Sequence, residues 1–185
     1  MAENLQSNSN ILNSLEVIRT LEGEINFLME RVDELDDMLR EYVSCQQEHT
    51  PLTPTLSPDG RGSCLESDPL IIAMAYTVSG IYSCLEDQFL KIARVFENRV
   101  ENPASWHKEL LERMRIEVID IRPAVISRES FAVLNEMRGF RHVFRSSYMF
   151  TIDVERLNLV VNHWNKGKDK IINDVKCFME ILEKQ

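Results

Sequence analysis

Three arginines and one histidine, Arg138, Arg141, His142 and Arg145, follow one another at positions i, i+3, i+4 and i+7. Because a helix turns once in about 3.6 residues, this spacing puts all four side chains on one helix face. Guanidinium groups bind phosphates, and an imidazole can also transfer protons near neutral pH. These four residues, called the basic stripe below, therefore predict a site for a phosphate or a polyanion.

The basic stripe has a second interpretation, because the chain carries a formal net charge of -9. Like charges within two turns of a helix repel one another, and carboxylates from a neighbouring helix would offset that repulsion as well as a bound anion would. In the same way, His142 is either an acid-base group or a histidine packed into the core. The sequence leaves both alternatives open.

The stripe needs a rigid helix to present it. Met137, Phe140, Val143 and Phe144 form an apolar set at helical spacing, and we expect them to face the core on the opposite side. Ser127 is the predicted N-cap of this helix, which should run to about residue 148. Helix interiors disfavour glycine, so the glycine at position 139 predicts the close approach of another helix.

Composition favours a helical protein. The 185 residues include only 6 Gly and 6 Pro, with 44% hydrophobic and 28% charged residues. We predict an all-α fold with one domain over residues 1–185, an up-and-down bundle of about five helices. The predicted helices cover residues 10–45, 68–98, 104–121, 127–148 and 153–183, with Asp153 capping the last of them.

The predicted first helix is long and acidic on its outer face. Its heptad seam favours a member of the bundle over the alternative of a free coiled coil, and comprises Ile18, Leu21, Ile25, Leu28, Val32, Leu35, Leu39 and Tyr42. On the next two helices, the predicted inward residues include Tyr76, Tyr82, Phe89, Leu110, Met114 and Ile121. Residues 46–69, rich in Pro, Gly, Ser and Thr, predict a loop insertion within the domain, to which we assign no function.

Other function classes are disfavoured by what the sequence contains. The acidic balance argues against wholesale coating of nucleic acid or of a membrane. The four cysteines form no CxxC pair, and there is no P-loop, dinucleotide fingerprint or zinc-protease motif. We therefore expect reduced thiols, no cofactor and no metal. The start of the chain is not a signal sequence and the longest apolar run is short, so we expect a cytoplasmic protein without a membrane contact.

Residues 137–148 resemble the HepT-like branch of the HEPN superfamily, as do residues 122–127 before them and residues 153–157 after them. The resemblance implies a helical bundle that forms a homodimer. It also implies a ribonuclease toxin that cleaves RNA without a metal, and a small nucleotidyltransferase as the antitoxin partner. The site would then be a cleft between two protomers, to which each contributes its stripe.

The working motif of that family is an arginine, four residues, a histidine, one residue and a tyrosine. Placed on this chain, the arginine is Arg141 and the tyrosine is Tyr148, but the histidine position holds Ser146. A serine hydroxyl cannot replace an imidazole as an acid and base near neutral pH. The alternative alignment of Arg138 with His142 restores both residue types, shortens the spacing by one and loses the tyrosine.

The resemblance implies a role for each motif residue. Arg141 would bind the scissile phosphate, with Arg138 and Arg145 on adjacent phosphates, and His142 would be the acid-base group. Tyr148 would orient or stack on the substrate, or accept a nucleotidyl group from the antitoxin; alternatively, it fills the end of the core.

Ser146 would at most donate a hydrogen bond, although it occupies the catalytic position of the motif. The remaining histidines have no convincing ligand partners in the sequence, and we expect them to be structural or surface residues: His49, His107 and His163.

These observations predict a HepT-like ribonuclease acting on RNA as a homodimer. The alternative is a catalytically inactive HEPN protein that binds RNA, a nucleotide or a nucleotidyltransferase, and a third possibility is a purely structural helical dimer. Ser146 distinguishes the first two, because an active enzyme must take its acid-base group from elsewhere.

Overall fold

The computed structural model describes residues 19–20, 23, 27, 30–41, 44, 69–97, 106–146 and 152–184. These form helices α1 (residues 30–41), α2 (Pro69–Glu97), α3 (Trp106–Met114), α4 (Arg128–Ser146) and α5 (Val154–Glu183). Within those ranges there is no strand, only one isolated bridge between Val118 and Arg122. The predicted all-α class is therefore confirmed. Residues 46–68 of the predicted loop lie outside the described residues. The same is true of the first helix before residue 30, apart from residues 19, 20, 23 and 27.

Helix α4 packs between α2 and α5, and these three helices supply most of the core. The buried face of α2 is centred on Met74, Val78, Ile81 and Leu85, at spacings of four and three residues. The largest fully buried side chains are those of Trp164, Tyr82, Phe89 and Phe178. Because α4 has a packed helix on each side, the basic stripe lies on a rigid element.

Helix α1 contributes to the same core through Val32 and Leu35, both buried, as the predicted seam requires. Among the described residues, Lys168 on α5 donates to Asp36 on the polar side of α1 at 2.6 Å. Helix α2 is long and apolar enough to cross a membrane by length and composition, but more than half of its apolar window is buried inside the bundle. Such burial is typical of the central helix of a packed core.

Both predicted N-caps are confirmed. The Ser127 hydroxyl accepts a hydrogen bond from the backbone N–H of Ser130 at 3.3 Å, and Asp153 accepts one from the N–H of Arg156 at 2.9 Å. Asp174 on α5 adds a tertiary contact, because its Oδ2 accepts from the Ser127 hydroxyl at 2.6 Å. The start of α4 is thus fixed by its own cap and by α5.

The predicted end of the third helix was wrong. Helix α3 stops at Met114 rather than near residue 121, and the following turn places Asp120 in the left-handed region, with φ 61°. The buried guanidinium of Arg122 donates to the carbonyls of Arg113 and Ile116, which a longer helix would have used internally. As a result, Ile121 is exposed instead of facing the core.

Two further predicted core residues are exposed. Tyr76, 68% exposed, lies on the side of α2 opposite its buried face, and Val143 lies at the margin of α4. The ring of Tyr76 packs edge-on against Phe144 across the surface, with ring centroids 5.3 Å apart. Helical spacing gives the apolar stripe of each helix, but the placement of the neighbouring helix decides which margin of the stripe is covered.

The close helix approach predicted at position 139 occurs elsewhere. A Cβ on Gly139 would meet only the Arg156 guanidinium, at 3.7 Å, which is an ordinary contact. At Gly167 of α5, a Cβ would lie 2.9 Å from a methyl group of Val133 on α4. Gly167 is therefore the residue that lets α4 and α5 pack at this distance.

Candidate functional site

One pocket of about 310 Å³ brings the basic stripe together. It is lined by His107, Arg138, Arg141, His142, Arg145 and Ser146. All but one of these residues lie on α4, and His107 comes from α3. The stripe is thus one face of one helix, and a second element closes part of the opening.

Arg141 is held by three residues of α2. Its Nε donates to the Ser83 hydroxyl at 2.8 Å, its Nη1 lies 3.4 Å from Glu86 Oε2, and its guanidinium lies 5.9 Å from the centre of the Tyr82 ring. Within the described part of the chain, Nη2 has no acceptor. One nitrogen therefore remains to contact a bound anion, while the others fix its direction.

Arg138 and Arg145 differ from Arg141, because no carboxylate of the described residues pairs with either of them. Arg138 donates to the neutral side-chain oxygen of Asn135 through Nε, at 3.1 Å, and Nη2, at 3.0 Å. Arg145 and His142 are exposed. Within the described ranges, neutralisation by a carboxylate, the alternative left open by the sequence, is thus seen for Arg141 and not for the rest of the basic stripe.

Ser146 lies in the pocket wall, but its hydroxyl serves its own helix. It donates to the backbone carbonyls of His142, at 2.8 Å, and Val143, at 3.1 Å. Such a back-bonded hydroxyl supplies no acid or base. Tyr148, the predicted substrate-orienting or modified residue, lies outside the described residues.

The sequence did not predict the pairing of His107 with Glu86. His107 Nδ1 lies 2.6 Å from Glu86 Oε1, and the imidazole stacks on Trp106 with ring centroids 3.7 Å apart. His107 was expected to be a structural or surface residue without a convincing ligand partner, and its ion pair with Glu86 is an addition to that expectation. His163 also has a partner, Glu136, but this pair is exposed on α4 and α5 and lies outside the basic pocket.

Glu86 is the second residue that sequence reasoning missed. Its side chain is only 3% exposed, and it lies one helical turn after Tyr82 on the buried side of α2. An acid within an apolar helix face is unusual, and that position was the signal that could have identified it. Burial and the negative charge of Glu86 raise the pKa of Tyr82, more than Arg138 and Arg141 lower it, so the phenol stays protonated.

Comparison with known proteins identifies the family of the chain. The family model described as HepT-like protein matches residues 73–182, which include α2 from its second turn to nearly the end of α5. The match covers more than half of the chain and every residue of the basic pocket. No curated protein and no solved structure matches significantly. The chain therefore belongs to a HepT-like family of the HEPN superfamily.

Proposed function

We propose that this protein is a ribonuclease toxin that cleaves RNA without a metal ion. The observation that carries the proposal is the basic pocket: an acidic protein holds three arginines and two histidines around one opening. Of the three arginines, only Arg141 has a carboxylate partner among the described residues. Repulsion between these groups is relieved when phosphates bind, and membership of the HepT-like family supports RNA as the polyanion.

In this proposal the arginines bind and stabilise charge. Arg141, oriented by Ser83 and Glu86, contacts the phosphate that reacts, and its guanidinium stabilises the negative charge added there. Arg138 and Arg145 bind the neighbouring phosphates of a single strand. His142, exposed on the same face, protonates the leaving oxygen.

We also propose that the active form is a homodimer in which two pockets share a cleft. Support comes from the exposed side chains of Tyr76 and Val143, which add apolar surface beside the stripe on α4. Tyr76→Lys should shift the sedimentation coefficient from dimer to monomer and lower cleavage. A wild-type protein that sediments as a monomer at all working concentrations would contradict this part of the proposal.

The proposed setting is the cytoplasm, with a small nucleotidyltransferase as antitoxin. Tyr148 would accept a nucleotidyl group from that partner. Co-expression with a nucleotidyltransferase should add the mass of one nucleotidyl group to the peptide that contains Tyr148, and Tyr148→Phe should abolish the addition. Cell growth should be arrested by the toxin alone and restored by the partner.

The central experiment measures cleavage of single-stranded RNA in the presence of EDTA. The double variant with Arg138→Ala and Arg145→Ala should lose RNA affinity and cleavage. A matched control removes two arginines of α1, Arg31 and Arg40, each paired with an acid three residues away. The control has the same net charge as the double variant and should cleave like wild type. Equal losses in both variants would show that net charge, and not the pocket, governs binding.

The second candidate is an inactive member of the family that binds RNA, a nucleotide or a nucleotidyltransferase. The back-bonded hydroxyl of Ser146 favours it, since the motif position then supplies no acid or base. Salt-dependent RNA binding by wild type without any cleavage would select this function over the enzyme.

A further inference from the structure

We propose that His107 is the general base of this site, in place of the histidine that the motif lacks at Ser146, and that Glu86 is its positioning residue. The inference rests on the proposed ribonuclease function and assigns the proton acceptor of that reaction. Three features of the structure carry it: the hydrogen bond between the two side chains, the position of the imidazole in the pocket, and the burial of the carboxylate.

The first feature fixes the tautomer of His107. With Glu86 as a carboxylate, Nδ1 must carry the hydrogen and donate it to Oε1 across 2.6 Å. The lone pair then resides on Nε2, which has no hydrogen-bond partner in the described part of the chain. Stacking on Trp106 holds the ring plane. A carboxylate on one ring nitrogen and a vacant lone pair on the other is the arrangement of a general base.

The second feature is location. His107 is 40% exposed and lines the pocket together with all four residues of the basic stripe. It comes from α3, outside the sequence run that carries the motif. In the described part of the chain, His107 contacts Glu86, and the charged and titratable residues that line the pocket with it are Arg138, Arg141, His142 and Arg145.

The third feature is that one buried carboxylate connects two residues of the pocket wall. Glu86 receives His107 on Oε1 and lies 3.4 Å from Arg141 on Oε2. Burying a carboxylate is unfavourable unless it is paired, and both partners here lie in the pocket wall. Glu86 therefore sets the position of the base relative to the guanidinium that binds the reacting phosphate.

The chain also contains a natural comparison. His163 and Glu136 pair through the same atoms, Nδ1 and a carboxylate oxygen, but both side chains are exposed. Their pocket, of about 350 Å³ between α4 and α5, contains no arginine. A histidine-glutamate pair thus occurs twice in the described part of the chain. The pocket of His163 is lined by Lys166 and Lys170, and only the pair at His107 lies beside arginines, which can bind a phosphate with two parallel hydrogen bonds.

The reaction can be written with all atoms accounted for. Nε2 of His107 takes the proton of the ribose 2′-hydroxyl, and the 2′ oxygen forms a bond to phosphorus. The bond between phosphorus and the 5′ oxygen breaks, and that oxygen keeps the electron pair and takes a proton from the imidazolium of His142. The products are a 2′,3′-cyclic phosphate and a 5′-hydroxyl. His107 then releases its proton to water and His142 regains one.

The test uses the full-length protein, a single-stranded RNA for cleavage in EDTA, and the same RNA with 2′-O-methyl groups for affinity. His107→Gln should lower the cleavage rate by about 100-fold or more, the range for loss of an acid-base group, with affinity for the methylated RNA unchanged within about twofold. Glu86→Gln should lower the rate by about tenfold or more. The matched variants His163→Gln and Glu136→Gln should cleave like wild type.

A second readout separates catalysis from folding. His107→Ala should regain activity in proportion to added imidazole. Without imidazole, its pH-rate profile should lack the acidic limb that a general base gives to the wild-type profile. If His107→Gln cleaves RNA at the wild-type rate, the inference is overturned and the proposed ribonuclease function stands. Loss of affinity together with cleavage, without rescue by imidazole, would also overturn it. Absence of cleavage by the wild-type protein would instead refute the ribonuclease function itself.

Discussion

Arg122, in the turn after α3, is fully buried and donates to Glu97 at the end of α2 through Nε, at 3.0 Å, and Nη2, at 2.6 Å. Arg113 binds the other oxygen of the same carboxylate. Removing Arg122 leaves Glu97 with one arginine instead of two, and it also leaves the carbonyls of Ile116 and Pro123 without their donor. We expect Arg122→Ala to lower the free energy of unfolding by about 3–5 kcal/mol, measured by urea denaturation. Arg40→Ala, at an exposed pair, should change it by no more than about 0.5 kcal/mol.

Asp174 should make stability depend on pH. Burial raises the pKa of Asp174, but hydrogen bonds from Lys170, Ser127 and Ser130 outweigh burial and hold the pKa below its ordinary value. A carboxylate whose pKa is lower in the folded state than in the unfolded state stabilises the folded protein when it is ionised. This contribution is complete above the unfolded-state pKa, about 3.9 for Asp, and is lost as the pH falls through the lower folded-state pKa.

Asp174→Asn should therefore lower the melting temperature near neutral pH. The difference from wild type should shrink as the pH falls from about 4 toward the lower folded-state pKa, because the unfolded wild-type chain binds a proton at Asp174 before the folded protein does. Thermal unfolding followed by circular dichroism over this pH range measures both curves. A difference that stays constant at every pH would contradict the assigned role of the charge.

Two of the helical glycines, Gly139 and Gly167, should respond to alanine in opposite ways. Gly167→Ala places a Cβ 2.9 Å from a Val133 methyl group, and overpacking of this kind costs about 1–3 kcal/mol. Gly139→Ala meets only an ordinary contact, so the gain in helix propensity should stabilise the protein by up to about 1 kcal/mol. Denaturant titration gives both values. Adding Val133→Ala to Gly167→Ala should recover part of the loss, and no recovery would mean that the contact is not the cause.

The salt dependence of RNA binding should report the contacts of Arg145. Each phosphate neutralised on a single strand contributes about -0.7 to the slope of log affinity against log salt concentration. Arg145→Ala should therefore make the slope shallower by about 0.7, and Arg40→Ala on α1 should leave it unchanged. Fluorescence anisotropy with labelled RNA at several salt concentrations measures the slope. An identical slope for wild type and Arg145→Ala would remove Arg145 from the proposed site.

Local patterns predicted most of the fold because they depend on residues close together in sequence. The caps at Ser127 and Asp153 are contacts within one helical turn, and the structure contains both. The end of α3 was not predictable in this way. It depends on Arg122 reaching Glu97, which lies 25 residues earlier in the chain, and on the burial of both side chains.

The sequence by itself determined that Arg138, Arg141, His142 and Arg145 share one face, because the period of the helix fixes that relation. It also indicated the family, through the motif and its flanking residues. Only the tertiary structure decided which of these charges are neutralised and which further residues join them. Glu86 and His107 come from two other helices, and the packing of α2 and α3 against α4 brings them to the pocket. A contact between distant segments depends on how whole helices pack, and helical spacing within one segment carries no information about it.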